Sequence, residues 1–269
     1  MMRSFILALV LGSTACGGST PPAKTPDEAP QPTAVVSRPP YTAGAPSVSQ
    51  ELGSIDEHAV QQTFDRIQTK LEVCHKQGRD RVEYLAGDVK VFLRVGADGR
   101  VKYAYFEDST VGDRETEKCL LDLFTATDWP KPQGGEAEVR NGFGWSGGSE
   151  RAPASWPAEK MTNALGPDGR HAIDQCKTGT HGEFRVTAYV EPGDVDEPAP
   201  EPAKPAKPGK GKPASKPAAA KEPGGKLKAI GIAVPNKEAA PKAECILDAL
   251  RGVALPGPGS YAAKVTFTL

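Results

Sequence analysis

The feature that most constrains this chain is an internal duplication. From Gly99 to Phe143 and from Gly225 to Leu269 the sequence runs in step at a constant offset of 126 residues. Lys102 falls on Lys228, Cys119-Leu120-Leu121-Asp122 on Cys245-Ile246-Leu247-Asp248, Pro130 and Pro132 on Pro256 and Pro258, and Val139 on Val265. Upstream, Gly87–Val95 matches Gly182–Val190, sharing the Gly and two Val four residues apart. A duplication of this kind predicts two similar supersecondary units joined by linkers. Composition agrees that linker is abundant. The 269 residues hold 26 Pro and 29 Gly, with only 6% aromatics and 38% hydrophobics, low for a fully packed chain.

Each copy reads as helix, strand, strand, helix, strand, an α+β unit with a small antiparallel sheet and its helices on one face. In the first copy (residues 54–146), Ser54 and Glu57 form a capping box. Val60, Phe64, Ile67, Leu71 and Cys74 then recur on one helical face. Val89, Val91, Leu93 and Val95 alternate as a half-buried strand, Gly96-Ala97-Asp98-Gly99 is a hairpin turn, and Val101, Tyr103 and Tyr105 continue the period of two. Asp113 caps a second helix carrying Cys119, Leu120, Leu123 and Phe124, which Pro130 stops. Ala137, Val139 and Phe143 mark the third strand. The second copy (residues 147–269) is degenerate at its start. Gly166-Pro167-Asp168-Gly169 is expected to break its first helix, leaving about two turns near His171–Lys177.

Two stretches read as linker. Residues 17–53 hold eight Pro and few large apolar groups, which predicts a disordered tether. Its 37 residues would span roughly 110 Å at ~3.1 Å per residue if extended. Residues 191–224 open acidic, turn Lys-rich and carry Pro throughout, and they fall where the first copy has its hairpin tip. Such tips tolerate insertions. A spacer is one reading; a basic arm touching anionic lipid or cell-wall polymer is the other.

The N-terminus reads as an export signal: Arg3, the apolar run Phe5–Leu11, a small-residue site at Ser13-Thr14-Ala15, then Cys16. This resembles a bacterial lipoprotein signal, which implies acylation at Cys16 and an outer-membrane address. Ordinary cleavage after Ala15, giving a secreted or surface protein, is the alternative. Five Cys is an odd number. Assigning Cys16 to a lipid leaves four. Their equivalent places in the two copies predict the disulfides Cys74–Cys119 and Cys176–Cys245 in an oxidising compartment.

The residues also resemble a known family. Cys74, Gly87, Val89, Val91, Gly99, Val101, Cys119, Trp129, Pro130 and Pro132 are similar to the pattern of the AgmX/PglI C-terminal domain, a relative of the TonB C-terminal domain found in deltaproteobacteria. In the second copy Cys176, Gly182, Val186, Gly225, Cys245, Pro256 and Pro258 carry the likeness, with Leu255 in place of the Trp. The resemblance implies a TonB-like fold and, by analogy with TonB, recognition of a protein or peptide in the cell envelope.

A net charge of −1 argues against a nucleic-acid-binding surface. The four His are in no metal spacing, and no hydrolase motif occurs. A metal held by Cys74, His75 and Cys119 is outweighed by a disulfide. Glu115, Glu117 and Asp122 read as a solvated helix face, and Trp129 and Trp145 as core or rim. The expected function is therefore non-catalytic: an envelope lipoprotein with no metal or cofactor, binding a protein partner. An envelope enzyme with an unrecognised site is the other class. An exposed sheet face and an open edge would take an extended peptide as an added strand. The expected edge is the last strand of the first copy, Glu136–Phe143, with Glu136, Val139 and Phe143 as contact residues.

Overall fold

The structure is a computed structural model and describes residues 41–43, 47–49, 53–193 and 224–269. It is α+β, with two sheets and five α-helices. In chain order the elements are β1 (Tyr41–Ala43), β2 (Ser47–Ser49), α1 (Glu57–Arg81), β3 (Gly87–Val95), β4 (Val101–Ser109), α2 (Arg114–Ala126) and β5 (Ala137–Trp145). There follow β6 (Ala154–Ser155), α3 (Ala158–Ala164), α4 (Gly166–Lys177), β7 (Arg185–Pro192), β8 (Gly224–Ala233), α5 (Ala243–Arg251), β9 (Leu255–Pro256) and β10 (Ala263–Thr268).

In the first sheet β3 lies between β4 and β5, antiparallel to both. Val91, Leu93, Val95, Val139 and Phe143 turn inward and share a core with Val60, Phe64, Leu71, Leu120 and Phe124 of α1 and α2. Burying each such side chain stabilises the fold by about 1.5–3 kcal/mol. The edge of Phe124 meets Phe64 and Phe143, each at 6.0 Å between centroids. Trp129 sits 4.9 Å from Phe64 and donates its indole N–H to Phe124 O, so it is a core residue. Gly99 supplies the left-handed position (φ +84°) that closes the β3–β4 hairpin.

Local details depart from the sequence expectations in instructive ways. The cap of α1 is Asp56, which accepts from Ala59 N at 2.6 Å. Ser54 instead bridges Gln133 through its backbone, so the capping box does not form. The break expected at Gly166-Pro167-Asp168-Gly169 does occur, between α3, which ends at Ala164, and α4, but α4 starts at Gly166 itself rather than near His171. Proline is tolerated in a first helical turn, where its missing N–H has no intrahelical partner, and Gly166 takes φ +59° to let α3 and α4 meet at an angle. The helix gains a turn over the expected two.

The second sheet runs β6-β10-β7-β8-β9. Val186, Ala188, Val190, Ile230, Ile232, Val265 and Phe267 pack with Met161, Ile173, Ile246, Leu247 and Leu250. β7 and β8 are antiparallel, with Val186 opposite Ile232 and Val190 opposite Leu227. Gly193 N donates to Gly224 O at 2.8 Å. The Lys/Pro stretch 194–223 between them lies outside the described residues.

The two halves do not stand apart with open sheet faces. Phe92 and Tyr105, on the face of the first sheet away from α1 and α2, are 3% and 8% exposed and belong to the core of the second half. Tyr189 of β7, on the face of the second sheet away from its helices, is fully buried in the core of the first half. Its hydroxyl donates to Ala86 O at 2.9 Å. The expectation of an exposed second face is thus overturned: each half covers part of the other's.

The junction also corrects the reading of Glu117. Its side chain is completely buried, not part of a solvated face. Glu117 Oε1 accepts from Ser109 Oγ (2.7 Å) and Oε2 from Ile232 N of β8 (2.9 Å). The Arg114 guanidinium is 3.6 Å away and also pairs with Glu244 of α5. Burial pushes the Glu117 carboxyl up to about 7, against the opposing pull of these partners.

Candidate binding edge

The four described cysteines form the expected disulfides, Cys74–Cys119 and Cys176–Cys245, each with Cα atoms 5.7 Å apart. Cys74 closes a buried stripe of α1, and Cys119 is on the facing side of α2. Helix packing thus puts two residues 45 apart in sequence at bonding distance. Cys16 lies outside the described residues.

The other expected site residues all belong to β5 or the residue before it. β5 is set by its alternation: Ala137, Val139, Asn141, Phe143 and Trp145 are buried on the helix side, while Glu138, Arg140, Gly142 and Gly144 are less so or face outward. Val139 and Phe143 are therefore core residues rather than contact residues at the edge. Glu136 binds Lys102 and Arg94, and these two cations hold its carboxyl below the usual range. Arg94 also pairs with Glu138, and Arg140 joins Glu138 to Glu107. The Arg140 guanidinium stands 4.5 Å above the Phe92 ring. The outer face of this sheet is thus a laced layer of ion pairs over stacked Phe92, Tyr103 and Tyr105.

The edge itself is not open. Tyr41–Ala43 pairs with Phe143–Trp145, and Ser47–Ser49 with Glu138–Arg140, both antiparallel. These residues fall inside the stretch expected to be a disordered tether. The direction of the ladder follows from Asp88, whose N–H and C=O both turn to Thr110 on the β4 side. By alternation, odd-numbered β3 residues turn to β5 and bond its odd-numbered residues. Glu138, Arg140, Gly142 and Gly144 therefore aim their backbone groups at the edge. Three of them face the resident residues Ser49, Ser47 and Thr42.

Ala43 stands opposite Phe143 and Ser47 opposite Arg140, and residues 44–46 between them lie outside the described residues. Asn141 is 2% exposed, and among the described residues neither its amide N nor its amide O has a hydrogen-bond partner. A buried amide left this way costs on the order of 1–3 kcal/mol. The sequence carried a signal for it, a polar residue at an inward position of a period-two strand.

Elsewhere, a groove of about 580 Å³ runs along α1, lined by Glu72, Val73, Lys76, Arg79 and Asp80 with His75 at its base. His75 donates to Leu85 O at 3.1 Å and stacks on Trp145 at 4.7 Å. Burial shifts its pKa down. Among the described residues, no three His, Cys, Asp or Glu side chains are grouped to hold a metal, and no helix is long and apolar enough to cross a membrane. No protein family, curated protein or solved structure matches the chain.

Proposed function

We propose that this protein is a non-catalytic lipoprotein of the cell envelope, anchored through Cys16, that binds a protein partner by adding an extended segment to the β5 edge. In this reading residues 54–146 and 147–269 are two α-β-β-α-β repeats of TonB C-terminal type, the second degenerate. The element order α1-β3-β4-α2-β5 and its echo α4-β7-β8-α5-β10 support it. So do the matched disulfides, which join α1 to α2 in the first half and α4 to α5 in the second.

The observation that carries the reading is the pairing of Tyr41–Ala43 and Ser47–Ser49 with β5. An edge that accepts one extended segment through its main chain has the geometry to accept another. A tether from Cys16 would hold the module at the membrane, where local concentration offsets weak affinity.

The test is photo-crosslinking in the native envelope. A photoreactive residue replaces Gly142, which has room for a side chain, with exposed Lys131 as the control position. Capture of one protein from position 142 alone supports the reading; equal capture from both sites, or from neither, refutes it. Fractionation of Cys16→Ser tests the anchor: release into the soluble fraction is expected, and retention after a salt wash contradicts it.

A further inference from the structure

The duplication makes β10 the counterpart of β5, and most of the β10 edge is unclaimed among the described residues. Trp156 N, just after β6, donates to Lys264 O, so Lys264 turns its backbone away from β7. By alternation Thr266 and Thr268 do the same, while Val265 and Phe267 bond β7. β6 pairs only with Ala263 and Lys264. Among the described residues, no backbone group meets the outward N–H and C=O of Thr266 and Thr268. Both residues are exposed. At the offset of 126 they correspond to Arg140 and Gly142, and Arg140 stands opposite Ser47 of an extended antiparallel segment. Protein edges are commonly blunted by Lys, Pro or a bulge. Thr266-Phe267-Thr268 has none of these.

A cavity of about 240 Å³ adjoins the end of this edge, bordered by Thr268. Leu165, Ile173 and Leu269 supply its apolar walls, and Arg170, Lys177 and Asp174 its charges. Neither cation has an ion-pair partner among the described residues: Arg170 donates to Thr162 O, and Lys177 stands over the Phe184 ring. We infer that the β10 edge is a second strand-addition site, separate from β5, for an extended peptide with a large apolar residue and, two residues before it, a carboxylate. The peptide's main chain completes the ladder at Thr266 and Thr268, and the cavity selects the side chain. Residues directly opposite in an antiparallel pair share a face. The peptide residue opposite Leu269 therefore points to the helix side, as Val265 and Phe267 do, and enters the cavity. The residue two before it shares that face and lies beyond Leu269. Lys177 ends α4 there, just before the turn into Phe184, which bonds Leu269. Two cations against one carboxylate favour an acid at that position.

The experiment uses the full chain and labelled heptapeptides in fluorescence anisotropy. Asp-Thr-Leu-Thr-Val-Thr-Val places Leu opposite Leu269 and Val opposite Phe267 and Val265. Asp-Thr-Ser-Thr-Val-Thr-Val removes the apolar side chain, and Lys-Thr-Leu-Thr-Val-Thr-Val reverses the charge. Thr266→Pro deletes an outward N–H and leaves the β7 ladder its donors. Lys177→Glu reverses the cation. Intact disulfides and unchanged circular dichroism confirm folding, and amide exchange on the unsubstituted protein locates the peptide without any substitution.

The Leu peptide should bind the unsubstituted protein about tenfold more tightly than the Ser peptide, as burial of a Leu side chain requires. Thr266→Pro should weaken it by roughly fivefold, the factor for one lost net hydrogen bond. Lys177→Glu should make the Lys peptide bind more tightly than the Asp peptide. On binding, the amides of Thr266 and Thr268 should pass from fast to slow exchange, while Val265 and Phe267 stay protected throughout. No binding at millimolar peptide, or new protection on β5 in place of β10, overturns the site. Equal binding of the Leu and Ser peptides overturns the role of the cavity, and an unchanged order in Lys177→Glu overturns that of the acid. A dimer in sedimentation that Thr266→Pro makes monomeric would mean that a second copy fills the edge, and would overturn the peptide as occupant.

Discussion

Glu117→Gln should remove the fall in stability with rising pH between pH 5 and 8 that the buried carboxyl causes. The Glu117 carboxyl lies between α2 and β8, wholly buried, with its pKa raised from 4.5 to about 7 mainly by desolvation. In that interval the folded state binds more protons at this site than the unfolded state. Stability is therefore highest at low pH and falls as pH rises from the unfolded toward the folded pKa. At 1.36 kcal/mol per unit, the loss between pH 5 and pH 8 is about 2.5 kcal/mol. Gln is nearly isosteric: its Oε1 can accept from Ile232 N while its Nε2 donates to a turned Ser109 hydroxyl. Buried His75 works in the opposite direction, because its lowered pKa costs stability as pH falls below about 6.5. The comparison between the two proteins cancels that contribution. Urea unfolding at half-unit pH steps, with disulfides intact, measures it. The variant should match the unsubstituted protein near pH 5 and exceed it by about 2–3 kcal/mol at pH 8. A constant difference across the range would show that Glu117 titrates as in water and that the junction does not desolvate it.

Three further outcomes follow from the same contacts. Gly231→Ala places a methyl 2.8 Å from Glu117 Cδ and 3.0 Å from Asp113 N, so it should lower stability by roughly 1–3 kcal/mol, read as a shift in the urea midpoint. Cys74→Ser with Cys119→Ser opens a loop of 45 residues and should cost about 4 kcal/mol in the chain-entropy treatment, with the second half retaining its own disulfide on peptide mapping. Replacing residues 194–223 by a short Gly-Asn-Gly turn should leave the melting temperature within a few degrees, because Gly193 and Gly224 already close the β7–β8 ladder.

The elements were legible where a local period ran unbroken. Val60, Phe64, Ile67, Leu71 and Cys74 gave α1 its buried face, and Val89 to Val95 gave β3 its alternation. The cysteines were legible because the duplication placed each pair at equivalent points. What the halves do to one another was not legible. Glu117 reads as solvated from its helix alone, and only β8 arriving from 115 residues away buries it. Phe92 and Tyr105 likewise look like an exposed face until the second half covers them. The occupied edge was hidden for a different reason. Tyr41–Ser49 is Pro- and Gly-containing and weakly strand-forming, and main-chain pairing asks little of its side chains. Asn141 did leave a trace, as the one polar residue among the inward positions of β5.

The most direct test of the account is amide hydrogen exchange along β5. In the unsubstituted protein the edge-facing amides of Glu138, Arg140 and Gly144 should exchange slowly, as the resident strand covers them. With Thr42→Pro, Ser47→Pro and Ser49→Pro together, which remove the N–H groups opposite those three residues, they should become fast while Val139 and Phe143, bonded to β3, stay protected. Adding the envelope protein captured from position 142 should restore protection at the same amides. Protection that appears instead on β4 or on the second sheet, or β5 amides that never change, would contradict the claim that this edge is where the protein binds.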